Sequence, residues 1–149
     1  MRTIKKSIDI NAPRDRVWDV LFGDEYTKIW YEEFAEGSHA ETDWKVGSRA
    51  VFTDKKGEGM ISRVDANKPN EYLSLEYLGF IMNGKEDYES EGAKSMMGGH
   101  ETYKLSEKSG HTHLDITSDM GEEYYDSMAK AWDKALMKVK GLAEKRMVN

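Results

Sequence analysis

Four histidines and twenty-eight Asp and Glu residues are the first groups in this 149-residue chain to weigh as acids, bases or metal ligands, and no cysteine accompanies them. That excludes disulfides, thiolate nucleophiles and cysteine-based zinc or iron–sulfur sites. Histidine is the first candidate base, because its unperturbed pKa of about 6.5 lets it exchange a proton near neutrality. His111, His113 and Asp115 share one face of a strand pattern and could offer two ring nitrogens and a carboxylate to a metal. Leu114 and Ile116 occupy the alternate positions, so this is the face away from the core and a solvated polar surface is expected. His100, beside Gly98-Gly99, reads as a loop-to-strand residue within reach of a pocket rim. Glu32, Glu33 and Glu36 follow an aromatic segment, and Glu122-Glu123 open the last helix, where negative charge is favourable. A cyclase- or hydrolase-type enzyme needs an acid or base facing a cavity with a shifted pKa, and no spacing here demands one. The serines lack a nucleophile-elbow pattern, and no glycine run meets a phosphate-loop or dinucleotide fingerprint. The residues therefore assign no catalytic group, no metal and no cofactor.

The aromatic and long apolar residues are more informative. Trp30, Phe52, Leu75, Tyr77, Tyr103, Leu114, Met128 and Trp132 fall on expected inward faces or near an entrance. Apolar walls with a few aromatic O–H or N–H groups suit a hydrophobic ligand carrying one or two polar atoms, and methionine adapts wall shape. The same set is also what a filled core needs, so a ligand cavity and a plain interior both remain open at this point.

The elements that must position these residues follow from period and punctuation. A strand is expected over Thr3 to Ile10, then a turn at Asn11-Ala12-Pro13 and a helix carrying Val17, Trp18, Leu21 and Phe22, with Pro13 at its first position and Gly23 ending it. Asp24 to Tyr31 reads as a short second helix. From residue 48 the period becomes two: strands are expected from there to Phe52, over Met60 to Asp65, around Leu73, Leu75 and Tyr77, over His100 to Glu107 with Tyr103 and Leu105 inward, and over His111 to Ser118. Residues 79 to 99 mix an apolar run, the charged stretch Lys85 to Glu91 and Met96-Met97. They read as a solvated connection or irregular hairpin, or as a cover over a pocket. Met128, Trp132, Ala135, Val139 and Leu142 recur at three or four residues, giving a terminal helix from about Met120 to Lys145, on the order of 39 Å long. Asp119 is expected to cap it.

Strand, two short helices, several antiparallel strands and one long helix make an α+β domain spanning 1–149. A curved antiparallel sheet of about six strands wraps the C-terminal helix, which alone is long enough to cover it. The composition, 38% hydrophobic and 34% charged, is that of an ordinary globular protein. No apolar run approaches the roughly 20 residues of a membrane span, and the start of the chain enters a strand pattern directly, so a cytoplasmic protein without stable membrane insertion is expected. A net charge of -6 argues against nucleic acid as a partner.

Certain stretches resemble a known family when taken in order: Ile8 to Pro13 followed by Val17-Trp18, Tyr26 to Tyr31, Trp44 to Ser48, Gly59-Met60-Ile61, Tyr72 to Tyr77, the hairpin around Ser109 to Thr112, and the last helix. The chain is similar to the START-like (SRPBCC) superfamily, in the branch resembling the C-terminal domain of activators of the Hsp90 ATPase. The resemblance implies a helix-grip fold of β-α-α-β6-α order that often encloses a hydrophobic cavity. It implies no catalytic signature. The 79 to 99 stretch departs from the compact connection of many relatives, and the expectation is of one domain without the additional N-terminal domain of the eukaryotic co-chaperones. The leading expectation is noncatalytic binding of a small hydrophobic or amphipathic molecule. The competing ones are an Hsp90-related co-chaperone or protein-interaction domain, with a chaperone or other protein as partner, and a cyclase- or hydrolase-type enzyme.

Overall fold

The computed structural model describes residues 1–145, so 146–149 of the expected 1–149 unit lie outside the described residues. Strand β1 (Arg2–Ile10) leads into helices α1 (Arg14–Phe22) and α2 (Asp24–Trp30), the latter running into a 3-10 turn at Tyr31–Glu33. Strands β2 (His39–Glu41), β3 (Arg49–Thr53), β4 (Gly59–Lys68), β5 (Tyr72–Met82) and β6 (Lys85–Asp87) follow, then helix α3 (Glu91–Met96), strands β7 (His100–Lys108) and β8 (His111–Met120), and the long helix α4 (Glu122–Glu144). Pro13 caps α1 from one position earlier than expected, its backbone extended and its carbonyl accepting from the Arg16 and Val17 N–H groups. Gly23 separates α1 from α2; a Cβ there would lie 2.6 Å from the Asp19 carbonyl oxygen, so only glycine lets the chain turn so tightly.

The strands form one antiparallel sheet in the order β1-β8-β7-β5-β4-β3-β2, with β6 pairing the far end of β5. Eight strands stand where about six were expected, because β2 and β6 are three residues each and too short to show a period. Residues 79 to 99 are built rather than loose. Asn83 and Gly84, both at positive φ, turn β5 into β6. Ser90 then caps α3 by accepting from the Ala93 N–H, and Gly98-Gly99 pair with Tyr77 through two backbone hydrogen bonds. Two register shifts between β4 and β5, at Ile61/Ser62 and Val64/Ala66, bend the sheet, as an unmatched residue on one strand does.

Helix α4 lies in the concave side. Its 23 residues, roughly 34 Å of helix, bury Trp132, Ala135, Leu136, Val139 and Ala143 against the sheet and α1. The expected stripe is therefore present, although Leu142 and Met128 are only partly buried. Asp119 does not cap the helix. It is still in the β1–β8 ladder, where its carboxylate accepts from the Thr3 hydroxyl and the His100 N–H, and Gly121 occupies the N-cap with extended backbone. The other end of α4 is fastened firmly. Arg16 donates to the Leu142 carbonyl at 2.9 Å, to the Ala143 carbonyl at 3.4 Å and to the Tyr26 hydroxyl at 2.8 Å. Glu144 accepts from the Asn11 N–H at 2.7 Å, and Lys140 donates to the Asp9 carbonyl at 2.8 Å.

A guanidinium on the last carbonyls of a helix satisfies groups that have no partner within the helix and opposes the negative end of its dipole. Arg16→Ala should therefore lower the unfolding free energy by about 1–2 kcal/mol. Urea denaturation reads this directly, and an unchanged midpoint would contradict the clamp.

Candidate functional site

Where α4 is fastened, α1 and the sheet close on it; toward its N-terminus the curved sheet and the straight helix diverge. The gap is a cavity of about 540 Å³. The sheet supplies Phe52, Met60, Leu75, Tyr77 and Tyr103; α2 and the turn after it supply Trp30, Tyr31 and Phe34; α3 supplies Gly92, Ser95 and Met96; and α4 supplies Tyr124, Met128 and Trp132. The exposed side chains of Met82 and Tyr124 border it, so the cavity opens to solvent at that end. The 79 to 99 segment thus forms part of the cavity wall through α3. That side is covered because Ala93 and Met96 pack under the helix.

Seven of the eight residues expected at a cavity wall are brought together there: Trp30, Phe52, Leu75, Tyr77, Tyr103, Met128 and Trp132. Leu114 is not among them. It is fully buried on the inner face of β8, paired with Leu105 and Ile8, in the closed half of the core. Four residues separate it from Ser118, which is about 13 Å along a strand, enough to move it from the open half to the closed half. The aromatic rings pack edge to face: Trp30 on Tyr31 at 4.5 Å, Phe34 on Trp132 at 5.0 Å and Tyr103 on Trp132 at 6.0 Å between centroids. Trp30 is held by its indole N–H, which donates to the Val20 carbonyl at 3.0 Å. The Trp132 indole N–H is buried and has no hydrogen-bond partner among the described residues.

The polar centre of the site is Glu101, which the reading of the sequence passed over. It stands opposite Leu75 on one side and Ser118 on the other, on the concave face of β7. Its carboxylate accepts from the Tyr103 hydroxyl at 2.5 Å and from the Tyr77 hydroxyl at 3.2 Å, and the Tyr77 oxygen also lies 3.2 Å from the Ser118 hydroxyl. The signal was available. If Tyr103 and Leu105 face inward, a period of two puts Glu101 inward as well. Burial raises the Glu101 carboxyl above its ordinary range, and the two tyrosine hydroxyls, which favour the charged form, offset this only in part. Burial and the Glu101 charge together hold the Tyr77 and Tyr103 hydroxyls well above the usual phenol value, so both stay protonated and able to donate.

The other polar candidates lie elsewhere. His113 bridges Asp9 at 2.6 Å and Asp115 at 3.1 Å on the outer face, which raises its pKa through the Asp9 hydrogen bond first. His111 is exposed at the start of β8, and His100 faces Asp65 at 3.4 Å. Neither borders the cavity, and nor do Glu32, Glu33 and Glu36. Glu123 borders it and Glu122 instead pairs with Arg2. Among the described residues no group of three or more His, Asp or Glu side chains is placed to hold a metal ion.

Because the folded protein holds the Glu101 proton more tightly than the unfolded chain does, this group's contribution to stability is fully present below the unfolded pKa. It is lost as pH rises through the folded one. Glu101→Gln removes that titration. The variant should gain stability relative to the parent as pH rises across this window, after which the difference between them should stay constant, as read by urea denaturation at a series of pH values. A difference independent of pH would contradict the assignment.

Comparison with known proteins agrees with this architecture. The structure of protein MLL2253 from Mesorhizobium loti matches with a TM-score of 0.74 at 17% identity, over 99% of this chain and 100% of that one. The solution structure of the Aha1 dimer from Colwellia psychrerythraea matches at 0.71 and 18% identity, over 97% of each chain. CalU16 from Micromonospora echinospora matches at 0.67 and 17% identity, over 98% of this chain and 78% of that one. At these identities the likeness is one of fold. No curated protein matches the sequence. The family model for Activator of Hsp90 ATPase homolog 1-like protein matches residues 11–144, nearly the whole sheet and the whole of α4. By that match, and with the helix-grip architecture of its structural neighbours, the chain belongs to the Activator of Hsp90 ATPase homolog 1-like family.

Proposed function

We propose that this chain binds a small hydrophobic or amphipathic molecule, without catalysing a reaction on it, in the space between the sheet and the first turns of α4. The observation that carries the reading is the cavity itself: about 540 Å³, walled by aromatic and methionine side chains and open at one end. Sites for small ligands are of this size and character, apolar with a few placed polar groups. Burying an apolar ligand there gains roughly 25 cal/mol for each Å² of apolar surface taken from water. The same reading takes the chain as a single cytoplasmic domain without a nucleic-acid partner, in keeping with its net charge of -6. No helix among the described residues is long and apolar enough to cross a membrane.

A second reading, an Hsp90-related co-chaperone or protein-interaction domain, is favoured by the family match. It would use an outer surface such as the acidic stretch from Glu86 to Glu91, where Glu86 pairs with Arg49 at 3.1 Å. The two readings predict different parts of the molecule in contact. Met60, Met82, Met96, Met120 and Met128 border the cavity, whereas Met137 is exposed on the outside of α4. Titrating the methyl-labelled protein with naphthylmethanol should shift the cavity methionines and leave Met137 in place. Shifts confined to Met137, or none, would contradict the ligand reading. Shifts of the Arg49 and Glu86 amides on adding a purified Hsp90, with the cavity methionines unmoved, would favour the second.

A further inference from the structure

The charge on the cavity wall is one-sided. Asp54, Glu58, Glu101 and Glu123 border the cavity, and among the described residues no lysine, arginine or histidine does. Glu101 matters most, since it sits on the sheet floor instead of the rim and, among the described residues, only neutral hydroxyls bond to it. Each of its oxygens accepts from one tyrosine and keeps a further lone pair. Around it stand aromatic rings. Tyr103 lies 6.0 Å from Trp132, and Trp132 lies 6.1 Å from Trp30. Aromatic faces are the negative side of the ring quadrupole and attract cations, the more so where water is excluded.

These features discriminate among amphipathic ligands. An anionic head would face four carboxylates and no cation among the described residues. A neutral hydroxyl would gain a hydrogen bond alone. A protonated amine would gain a hydrogen bond, attraction to Glu101 in a low-dielectric site, and the ring faces. We propose that the cavity takes a hydrophobic ammonium compound, its apolar body against the aromatic and methionine walls and its cationic head at Glu101. This rests on the reading of the cavity as a ligand site and adds the charge class of what fills it.

The test compares three probes that share one bicyclic body: naphthylmethylammonium, naphthylmethanol and naphthoate, titrated calorimetrically into the wild-type protein and into Glu101→Gln near neutral pH. The ammonium should bind tightest, by at least about tenfold over the alcohol, equivalent to about 1.4 kcal/mol, with naphthoate weakest. In Glu101→Gln most of the ammonium's advantage over the alcohol should vanish. Alcohol binding as tight as the ammonium, or naphthoate binding tightest, overturns the charge preference and leaves the cavity reading standing. An ammonium preference that survives intact in Glu101→Gln overturns the assignment to Glu101, and failure of all three probes to bind overturns both readings.

Discussion

A straight helix cannot follow a sheet that curls, and the two separate along the first turns of α4. Everything distinctive about the site comes from how that mismatch is resolved. At the far end Arg16, Lys140 and Glu144 tie the helix to α1 and the end of β1, so the last turns lie tightly against the sheet. The bends between β4 and β5 carry the sheet away from the first turns. The space left over is walled by side chains that elsewhere would have filled a core: Trp30, Tyr103 and Trp132 meet ring to ring but do not close it.

Within that space a carboxyl group has to be accounted for. A buried acid with no cation is costly, and three responses are open to it: to take up a proton, to recruit hydrogen-bond donors, or to wait for a charged partner. Glu101 shows the second, a pair of tyrosine donors whose own protons are held fast by the same surroundings, and leans toward the first in that burial raises its carboxyl above the ordinary range. A ligand with a cationic head supplies the third. The cost of burying Glu101 in the free protein and the preference for a cationic ligand thus have a single physical origin.

Much of the architecture was legible in sequence because period and punctuation agreed. The switch to a period of two after residue 48, the Ser109-Gly110 turn and the long stripe from Met128 to Val139 each named an element that is present. The misses are equally physical. Asn83-Gly84 is a strong hairpin signal, yet the charged run after it hid strand β6, which the backbone pairs through Phe80 to Met82. Asp119 looked like a cap because its type suits one, but strand pairing to Thr3 claims it first. Leu114 faces the core as its alternation required; alternation fixes the face of a sheet and says nothing of position along the strand, so it could not separate the filled half from the open half. Glu101 was passed over because charge suggests an outward residue, although its own strand placed it inward.

The central claim is that Glu101 sits on the cavity floor, shielded enough to raise its carboxyl, with Tyr77 and Tyr103 as its hydrogen-bonding partners among the described residues. The direct measurement is the titration of its side-chain carboxyl carbon by NMR in the ligand-free protein, using carbon-13 labelled glutamate assigned through Glu101→Gln. The account predicts a midpoint above that of the exposed glutamates in the same spectrum. A midpoint level with theirs, or below it, would mean that water or an unseen cation reaches the carboxylate, and the account of the cavity would fail with it.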